Sequence, residues 1–170
     1  MNEPNPCRIR RMEARDLVNV LAWRNHPDVR QYMLTRHEIS LNEHRDWFER
    51  ASNDPTRCLL IVEEDENPVG FVHFSNVAPG GIADWGFYAV PGAPKGAGKK
   101  LAGSALDYAF RTLRLHKVCG QALDFNEASI RFHHALGFQQ EGVLRHQVRI
   151  DDLYHDLICF GLLVHEWPID

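Results

Sequence analysis

Residues 84–101 read Asp-Trp-Gly-Phe-Tyr-Ala-Val-Pro-Gly-Ala-Pro-Lys-Gly-Ala-Gly-Lys-Lys-Leu. Residues 87–90 predict a strand, because aromatic and aliphatic side chains pack well on a pleated sheet. Pro91 and Pro94 end this strand, since proline has no N–H group for the ladder of a sheet. The Lys-Gly-Ala-Gly-Lys-Lys segment then opens a helix, which the apolar spacing of residues 101–113 predicts.

The glycines and lysines at residues 95–100 indicate a site for a phosphorylated cofactor. The first N–H groups of a helix lack backbone partners, and glycine lets an anion approach them closely. On these residues alone, an ordinary solvated turn explains the pattern equally well. A dehydrogenase or an NTPase is not supported, because Leu101 breaks the Gly-x-Gly-x-x-Gly fingerprint and the P-loop pattern is absent.

The length of 170 residues predicts one domain spanning residues 1–170, and the shares of 44% hydrophobic and 25% charged residues are those of a globular protein. The formal net charge of −4 argues against general nucleic-acid binding. No apolar run approaches the ~20 residues that a membrane span needs, and the first residues lack the apolar core of a signal peptide. We therefore expect a cytoplasmic protein that binds neither nucleic acid nor membrane.

The cysteines and histidines do not predict a metal site. His133 and His134 are adjacent, so they point to different sides of a helix, and the other histidines are scattered among unrelated elements. The cysteines lack Cys-x-x-Cys spacing, and we expect them to be reduced. The cysteines are Cys7, Cys58, Cys119 and Cys159.

The order of the remaining patterns predicts an α+β domain with a mixed, mostly antiparallel, seven-stranded sheet flanked by about four helices. We expect Asp16, Ser40 and Asn126 to cap helices, with Glu43 completing a capping box. A helix separates the fourth predicted strand from the fifth, so these two strands should be parallel. The predicted strands span residues 7–12, 58–62, 69–74, 82–89, 116–124, 138–149 and 154–164, and the predicted helical segments span residues 17–25, 28–33, 41–52, 101–113 and 127–136.

Two motifs resemble segments of the GNAT N-acetyltransferase superfamily, and the resemblance covers nearly the whole chain. The strand and loop that end in Lys-Gly-Ala-Gly at residues 95–98 resemble the superfamily's acetyl-CoA pyrophosphate loop. Residues 126–138 contain Asn-x-x-Ser-Ile-x-x-His-x-x-x-Gly-Phe, which resembles the Asn-x-x-Ala/Ser…Tyr-x-x-x-Gly-Phe segment. The resemblance implies the GNAT fold and acetyl-CoA as co-substrate.

The resemblance also implies where the cofactor binds. A backbone N–H group at residues 87–89 would bind the thioester oxygen, and those of residues 96–98 would hold the pyrophosphate. Asn126 would contact the pantetheine or the leaving sulfur. The implied catalytic residues are Tyr88, Asn126 and His133. The implied cofactor-binding residues are Phe87, Tyr88, Ala89, Lys95, Gly96, Ala97, Gly98, Lys99, Lys100, Asn126, Ser129 and His133.

The chain departs from the superfamily pattern at two positions. Ala93 stands where an arginine or glutamine is usual, so Lys95, Lys99 or Lys100 would have to replace that contact. His133 stands where a tyrosine usually protonates the leaving thiolate. As an imidazolium with a pKa near ~6.5, His133 could donate this proton, or it could fill the space with its hydrogen bonds satisfied.

Within the superfamily, several phrases resemble the UDP-amino-sugar acetyltransferases of the pseudaminic acid pathway. Examples are Trp-Arg-Asn at residues 23–25, Trp-Gly-Phe-Tyr-Ala at residues 85–89 and the closing segment at residues 159–167. This resemblance implies acetylation of UDP-4-amino-4,6-dideoxy-N-acetyl-β-L-altrosamine, a precursor for flagellin glycosylation. Guanidinium groups suit its diphosphate. The expected acceptor-binding residues are Arg24, Arg30, Met33, His73 and Trp85.

The general base and the acceptor have alternatives. Asp84, Asp124 and His73 are candidate bases, and a chain of water molecules could also serve. The acceptor could instead be a protein N-terminus, as in ribosomal-protein acetyltransferases, or a small amine, and a non-catalytic acetyl-CoA-binding module is a further alternative. The superfamily often dimerises through its terminal strands, so the resemblance is compatible with a homodimer.

Overall fold

The structure, a computed structural model, describes residues 7–168, which form one seven-stranded sheet with helices on both faces. Neighbouring strands are antiparallel except β4 and β5, which are parallel. The strands are β1 (Arg8–Arg11), β2 (Cys58–Glu64), β3 (Asn67–Ser75), β4 (Ile82–Ala89), β5 (Lys117–Leu123), β6 (Gln139–Ile150) and β7 (Leu153–Leu163), in the order β1-β2-β3-β4-β5-β7-β6. The helices are α1 (Leu17–Asn25), α2 (Pro27–Arg30), α3 (Leu41–Ser52), α4 (Ala97–Asp107) and α5 (Glu127–Ala135).

The predicted sheet is confirmed, including the parallel β4–β5 pair and the long β6–β7 hairpin. The described residues contain five α-helices, one for each predicted helical segment, and α1 and α2 are separated at His26 as expected. The second helix is shorter than predicted, ending at Arg30 and not at residue 33. None of the helices within residues 7–168 is both long and apolar enough to cross a bilayer.

The predicted caps are confirmed at Ser40 and Asn126 but not at Asp16. Ser40 forms the expected capping box with Glu43 at the start of α3. The Asp16 carboxylate instead accepts hydrogen bonds from the N–H group of Glu13, at 2.8 Å, and from Nη1 of Arg10, at 2.7 Å. A short 3-10 turn precedes α1, so the Asp16 side chain stabilises that turn and its junction with β1.

Helix α4 begins at Ala97, four residues before the predicted start. Gly96 has a φ of 91°, a left-handed conformation that glycine adopts without strain, and this residue ends the loop directly before the helix. The apolar spacing could not reveal the first turn, because that turn contains glycine and lysine. At its other end α4 continues as a π-helical turn over Tyr108–Thr112.

The two faces of the sheet have different cores. Leu60 and Val62 of β2 pack on the face that α4 covers, whereas Leu59 and Ile61 pack on the face of α1 and α3. Side chains alternate between the faces of a strand, so a strand buried on both faces has a continuous apolar run. This burial explains the unbroken run at residues 58–62.

Strands β4 and β5 pair over only three residues and then separate. Their last pair is Asp84 with Cys119, and β5 continues instead as the partner of β7 as far as Leu123. The second half of β4 therefore has neighbours on one edge only. This separation creates the opening in the sheet around which the candidate site is built.

Candidate active site

A cavity of about 1310 Å³ begins where β4 and β5 part. The walls include the loop at residues 91–94, the start of α4 and part of α5 on one side of β4. On the other side the walls include α1, α3 and the segment at residues 32–35. A pocket for one drug-sized ligand typically measures ~300–1,000 Å³, so this cavity has room for two substrates.

The start of α4 has the features of an anion site at one end of the cavity. Ala97 and Gly98 line the cavity, and a Cβ atom at position 98 would meet nothing closer than the Phe132 ring at 3.9 Å. The N–H group of Ala97 is already bonded to the carbonyl oxygen of Pro94, at 3.0 Å. Among residues 7–168, nothing accepts a hydrogen bond from the N–H group of Gly98, which is therefore the better donor to a phosphate.

The three predicted phosphate-binding lysines are not equivalent. Lys100 forms an ion pair with Glu64 at the end of β2, and this hydrogen bond raises the pKa of Lys100. Lys95 and Lys99 are exposed and form no ion pair with another described residue. Lys95 and Lys99 are therefore not held by another side chain, as Lys100 is, although none of the three lysines lines the cavity.

His133 is buried on the α5 side of β4, with 2% of its surface exposed, and both of its ring nitrogens are hydrogen-bonded. Nδ1 lies 2.8 Å from the carbonyl oxygen of Ser129, and Trp85 donates from Nε1 to Nε2 of His133 at 3.2 Å. Because a carbonyl oxygen only accepts, the proton of a neutral ring lies on Nδ1. Burial lowers the pKa of His133, which keeps this ring neutral.

This arrangement favours a satisfied space-filling role for His133 over proton donation. The Nδ1 proton is directed at Ser129, and the lone pair of Nε2 is directed at Trp85. Gly120 of β5 makes room for this contact, because a Cβ atom there would lie 2.5 Å from Nε2 of His133. The ring also stacks on Phe160, with centroids 4.8 Å apart. The catalytic role of His133 stays a prediction, with its proton already committed.

Asn126 caps α5, accepting a hydrogen bond at Oδ1 from the N–H group of Ser129 at 3.2 Å. Both residues line the cavity. The amide nitrogen of Asn126 has no acceptor within residues 7–168 and can donate to a ligand. The predicted contact with pantetheine or sulfur is compatible with this geometry.

On the opposite side of β4, Arg24 is buried with 9% of its surface exposed. Nη2 donates to the carbonyl oxygen of Thr35 at 2.7 Å, whereas Nη1 has no partner among the described residues. Burial lowers the pKa of Arg24, and the nearby Tyr88 opposes this shift. Tyr88 packs on Phe71, with centroids 5.2 Å apart, so its side chain faces this side of the sheet.

His44 and Trp47 of α3 extend the same wall, and neither was predicted to belong to the site. Their rings are stacked, with centroids 5.2 Å apart and an interplanar angle of 17°. His44 is 4% exposed, its Nε2 has no partner among the described residues, and burial lowers its pKa. The signal available in the sequence was the spacing of His44, Trp47 and Phe48, which puts all three on the same side of a helix.

The three candidate bases occupy different environments. Asp124 accepts hydrogen bonds from Nδ1 of His155, at 3.0 Å, and from the N–H group of Asp156, at 2.9 Å, at the junction of β5 with β7. Asp84 lines the cavity, is exposed and accepts a hydrogen bond from Asn76 at 3.0 Å. His73 also lines the cavity, and its side chain has no hydrogen bond to any other described residue.

The structure brings most of the expected acceptor-binding residues together. Arg24, Met33, His73 and Trp85 line the cavity. Arg30 does not line it, since its guanidinium is directed at Glu38, 3.9 Å away, and is 34% exposed. Trp85 contacts His133 and therefore lies on the α5 side of β4, away from Arg24.

Comparison with known proteins identifies the family. Residues 7–139 match the family described as the acetyltransferase (GNAT) domain. The chain belongs to this family. It is 30% identical to the acetyltransferase PseH of Campylobacter jejuni over 62% of the chain, and this match spans 65% of that relative, just under two thirds of its length. It is 25% identical to the spermidine N(1)-acetyltransferase of Escherichia coli over 98% of the chain and 91% of that protein.

The fold agrees with this membership. The structure of spermidine N-acetyltransferase from Vibrio cholerae in complex with CoA and spermine superposes with a TM-score of 0.87, covering 96% of this chain and 98% of that one at 23% identity. The predicted GNAT fold is confirmed, and the predicted enzyme class, N-acetyltransferase, is that of the family. Acetyl-CoA, the predicted co-substrate, is the co-substrate of the family.

Proposed function

We propose that this protein transfers the acetyl group of acetyl-CoA to an amine of a nucleotide-linked sugar. The acceptor is the 4-amino group of UDP-4-amino-4,6-dideoxy-N-acetyl-β-L-altrosamine, an intermediate of pseudaminic acid biosynthesis and of flagellin glycosylation. The similarity to PseH supports this assignment. The structural observation that carries it is the unpartnered Nη1 of Arg24, in the wall of the cavity on the α1 and α3 side of β4.

A buried guanidinium nitrogen without an acceptor is costly. Leaving such a donor unsatisfied costs ~1–3 kcal/mol, and more when the group is charged. An oxygen-rich ligand, such as a diphosphate or a uracil ring, provides the missing acceptor for Arg24. A polyamine cannot do so, because protonated amines have only hydrogen-bond donors to offer.

The aromatic part of the same wall suits the remainder of a nucleotide sugar. Trp47 and the stacked His44 provide a flat surface for a planar base or the apolar face of a sugar. Nε2 of His44 is a second buried nitrogen with hydrogen-bonding capacity to spare. A charged anchor beside an aromatic surface matches the chemistry of an anionic, ring-containing acceptor.

A polyamine is the second candidate acceptor. The spermidine acetyltransferase of E. coli aligns with nearly the whole chain, and four carboxylates lie along the cavity, those of Asp28, Glu43, Asp46 and Asp84. All four are exposed, whereas Arg24 is buried. Charges act most strongly where water is excluded, so the buried cation favours the anionic acceptor.

The test is to incubate the purified chain with acetyl-CoA and each of several acceptors. The acceptors are the UDP-4-amino sugar named above, its stereoisomers, spermidine and a peptide with a free N-terminus. Product masses and thiol release are measured in parallel. We expect one acetyl group on the UDP-4-amino sugar, thiol release in step with it, and competitive inhibition by UDP.

Each other outcome has a defined meaning. Acetylation of spermidine without acetylation of any UDP-sugar would overturn the proposed acceptor in favour of the polyamine. Acetylation of the peptide alone would favour a protein N-terminus. Binding of acetyl-CoA without thiol release on any acceptor would indicate a non-catalytic module.

A further inference from the structure

The imidazole of His73 on β3 packs over Gly86 of β4, at the point where β4 and β5 separate. The two residues are paired across the antiparallel strands. A Cβ atom at position 86 would lie 2.2 Å from Nε2 of His73, so the imidazole occupies the space that the missing side chain leaves. Gly86 lies just beyond Asp84, the last residue of β4 that pairs with β5. The ring nitrogen therefore lies beside the gap between the strands.

His73 also lies on the side of β4 from which the acceptor would approach. Its ring packs against Phe71, with centroids 5.9 Å apart, and Phe71 in turn contacts Trp47 and Tyr88. Trp47 and Tyr88 lie on the same side of β4 as Arg24. His133, by contrast, contacts Trp85 from the other side of the strand.

The imidazole of His73 is free to accept a proton. Within residues 7–168, neither ring nitrogen has a hydrogen-bond partner. Burial, with a smaller effect of Arg57, lowers the pKa of His73 to about 4, so the ring is neutral at neutral pH and its lone pair is available. The same burial makes the ring a weaker base than free imidazole, so it can take a proton only from the strongly acidic cationic nitrogen that forms after attack. Asp124, another candidate base, is already held by His155 and Asp156.

We propose that Nε2 of His73 is the general base of the acetyl transfer and accepts the proton lost by the acceptor amine. This inference rests on the proposed function, whose acceptor provides that amine. The amine nitrogen forms a bond to the thioester carbon, the C–S bond breaks, and the thiolate leaves with the bonding electron pair. Attack makes the nitrogen cationic, and its proton passes to Nε2 and then to solvent or the departing thiolate.

Three variants test the position and the basicity of the ring. His73→Gln keeps the polarity but not the base, and His73→Ala leaves a space that added imidazole can enter. Gly86→Ala keeps the histidine but places a methyl group where its Nε2 lies. We expect kcat to fall about 100-fold in each, the size of a general-base contribution, with the Kd for acetyl-CoA within about threefold of the parent value.

Rescue of His73→Ala separates proton transfer from packing. Imidazoles of increasing pKa should restore the rate in proportion to their basicity. A rescue independent of basicity, or no rescue at all, would indicate that the ring only fills space and would overturn the proposal. Gly103→Ala is the matched glycine control, because nothing lies within 4 Å of a Cβ atom built there, and it should retain full activity.

The two proposals fail in different ways. A parent protein that acetylates none of the acceptors refutes the proposed function. If the parent acetylates an acceptor and His73→Gln retains kcat within threefold, the function stands and the assignment of His73 is wrong.

Discussion

The buried polar groups on the two sides of β4 differ in whether they are hydrogen-bonded. On the α5 side, His133 is hydrogen-bonded at both nitrogens, by Ser129 and by Trp85. On the α1 and α3 side, Nη1 of Arg24 and Nε2 of His44 have no partner among the described residues. Buried polar groups are nearly always hydrogen-bonded in folded proteins. The buried side chains of the first side are therefore satisfied without a ligand, whereas those of the second have donors and acceptors that a ligand can satisfy.

This difference favours a packing role for His133, whereas the sequence motif draws attention to a catalytic role. A substitution at a position usually held by a catalytic tyrosine draws attention to chemistry. The hydrogen bonds show that His133 is tied into the packing of Trp85 and Phe160. The buried side chains of the described residues that lack a hydrogen-bond partner, Arg24 and His44, lie across the strand, where the acceptor would bind.

The largest expected effect is loss of stability in acid, to which both sides contribute. Burial depresses the pKa of His73, His44 and His133 below their unfolded value near ~6.5, so the unfolded chain binds more protons. Their stabilising contribution is complete above that value and is lost as the pH falls. For His73, with a pKa of about 4, the loss reaches about 3 kcal/mol at pH 4.

Urea unfolding between pH 7 and pH 4.5 measures this loss. His73→Gln should flatten the curve, whereas the same change at the exposed His165 should not. Parallel curves for the parent and His73→Gln would show that His73 does not bind fewer protons in the folded chain.

The next effect is on acceptor binding, at the buried Arg24 whose Nη1 lacks a partner among the described residues. Arg24→Met should raise the KM for the UDP-sugar about 30-fold, equivalent to about 2 kcal/mol for one charged hydrogen bond, while the KM for acetyl-CoA stays constant. Arg30→Met is the matched control, since Arg30 does not line the cavity, and it should change neither constant by more than about threefold. Equal increases in both constants for Arg24→Met would point to a folding defect instead.

A substitution at His133, on the α5 side of β4, should lower the free energy of unfolding more than it lowers kcat. His133→Phe removes the acceptor for Trp85 Nε1, so the free energy of unfolding should fall by about 1–2 kcal/mol. Denaturant unfolding measures this change, and kcat should remain within about threefold of the parent value. A tenfold or larger loss of kcat in a stably folded variant would restore the proton-donor role of His133.

The smallest effect separates the lysines at the start of α4. Lys99→Ala should weaken acetyl-CoA binding about threefold, as expected for an exposed charge near a phosphate. Lys100→Ala should leave binding unchanged, because Lys100 pairs with Glu64. Calorimetric titration with acetyl-CoA compares the two, and a larger loss for Lys100→Ala would contradict this assignment.

Local patterns predicted most of the fold. The capping box at Ser40, the cap at Asn126 and the parallel β4–β5 pair are all observed, because each depends on neighbours in sequence or on a simple connection rule. Two local predictions were wrong in detail. Asp16 bonds to Arg10 and Glu13 instead of capping α1, and α4 starts one turn early behind Gly96. Contacts outside the predicted element decided the first, and a left-handed glycine decided the second.

The sequence by itself determined the order of elements and the glycine turn before α4, because these follow from periodicity, capping and spacing along the chain. The resemblance to the acetyltransferase family was also visible in the sequence, in the motifs at residues 95–98 and 126–138. Only the tertiary structure decided which polar groups are satisfied. His133 and His73 are both histidines next to aromatic residues, and nothing in the sequence around them tells whether their ring nitrogens are hydrogen-bonded. One is bonded to Ser129 and Trp85, whereas the other leans unpartnered over Gly86. Hydrogen-bond satisfaction depends on partners brought from distant segments, so it emerges only once the chain has folded.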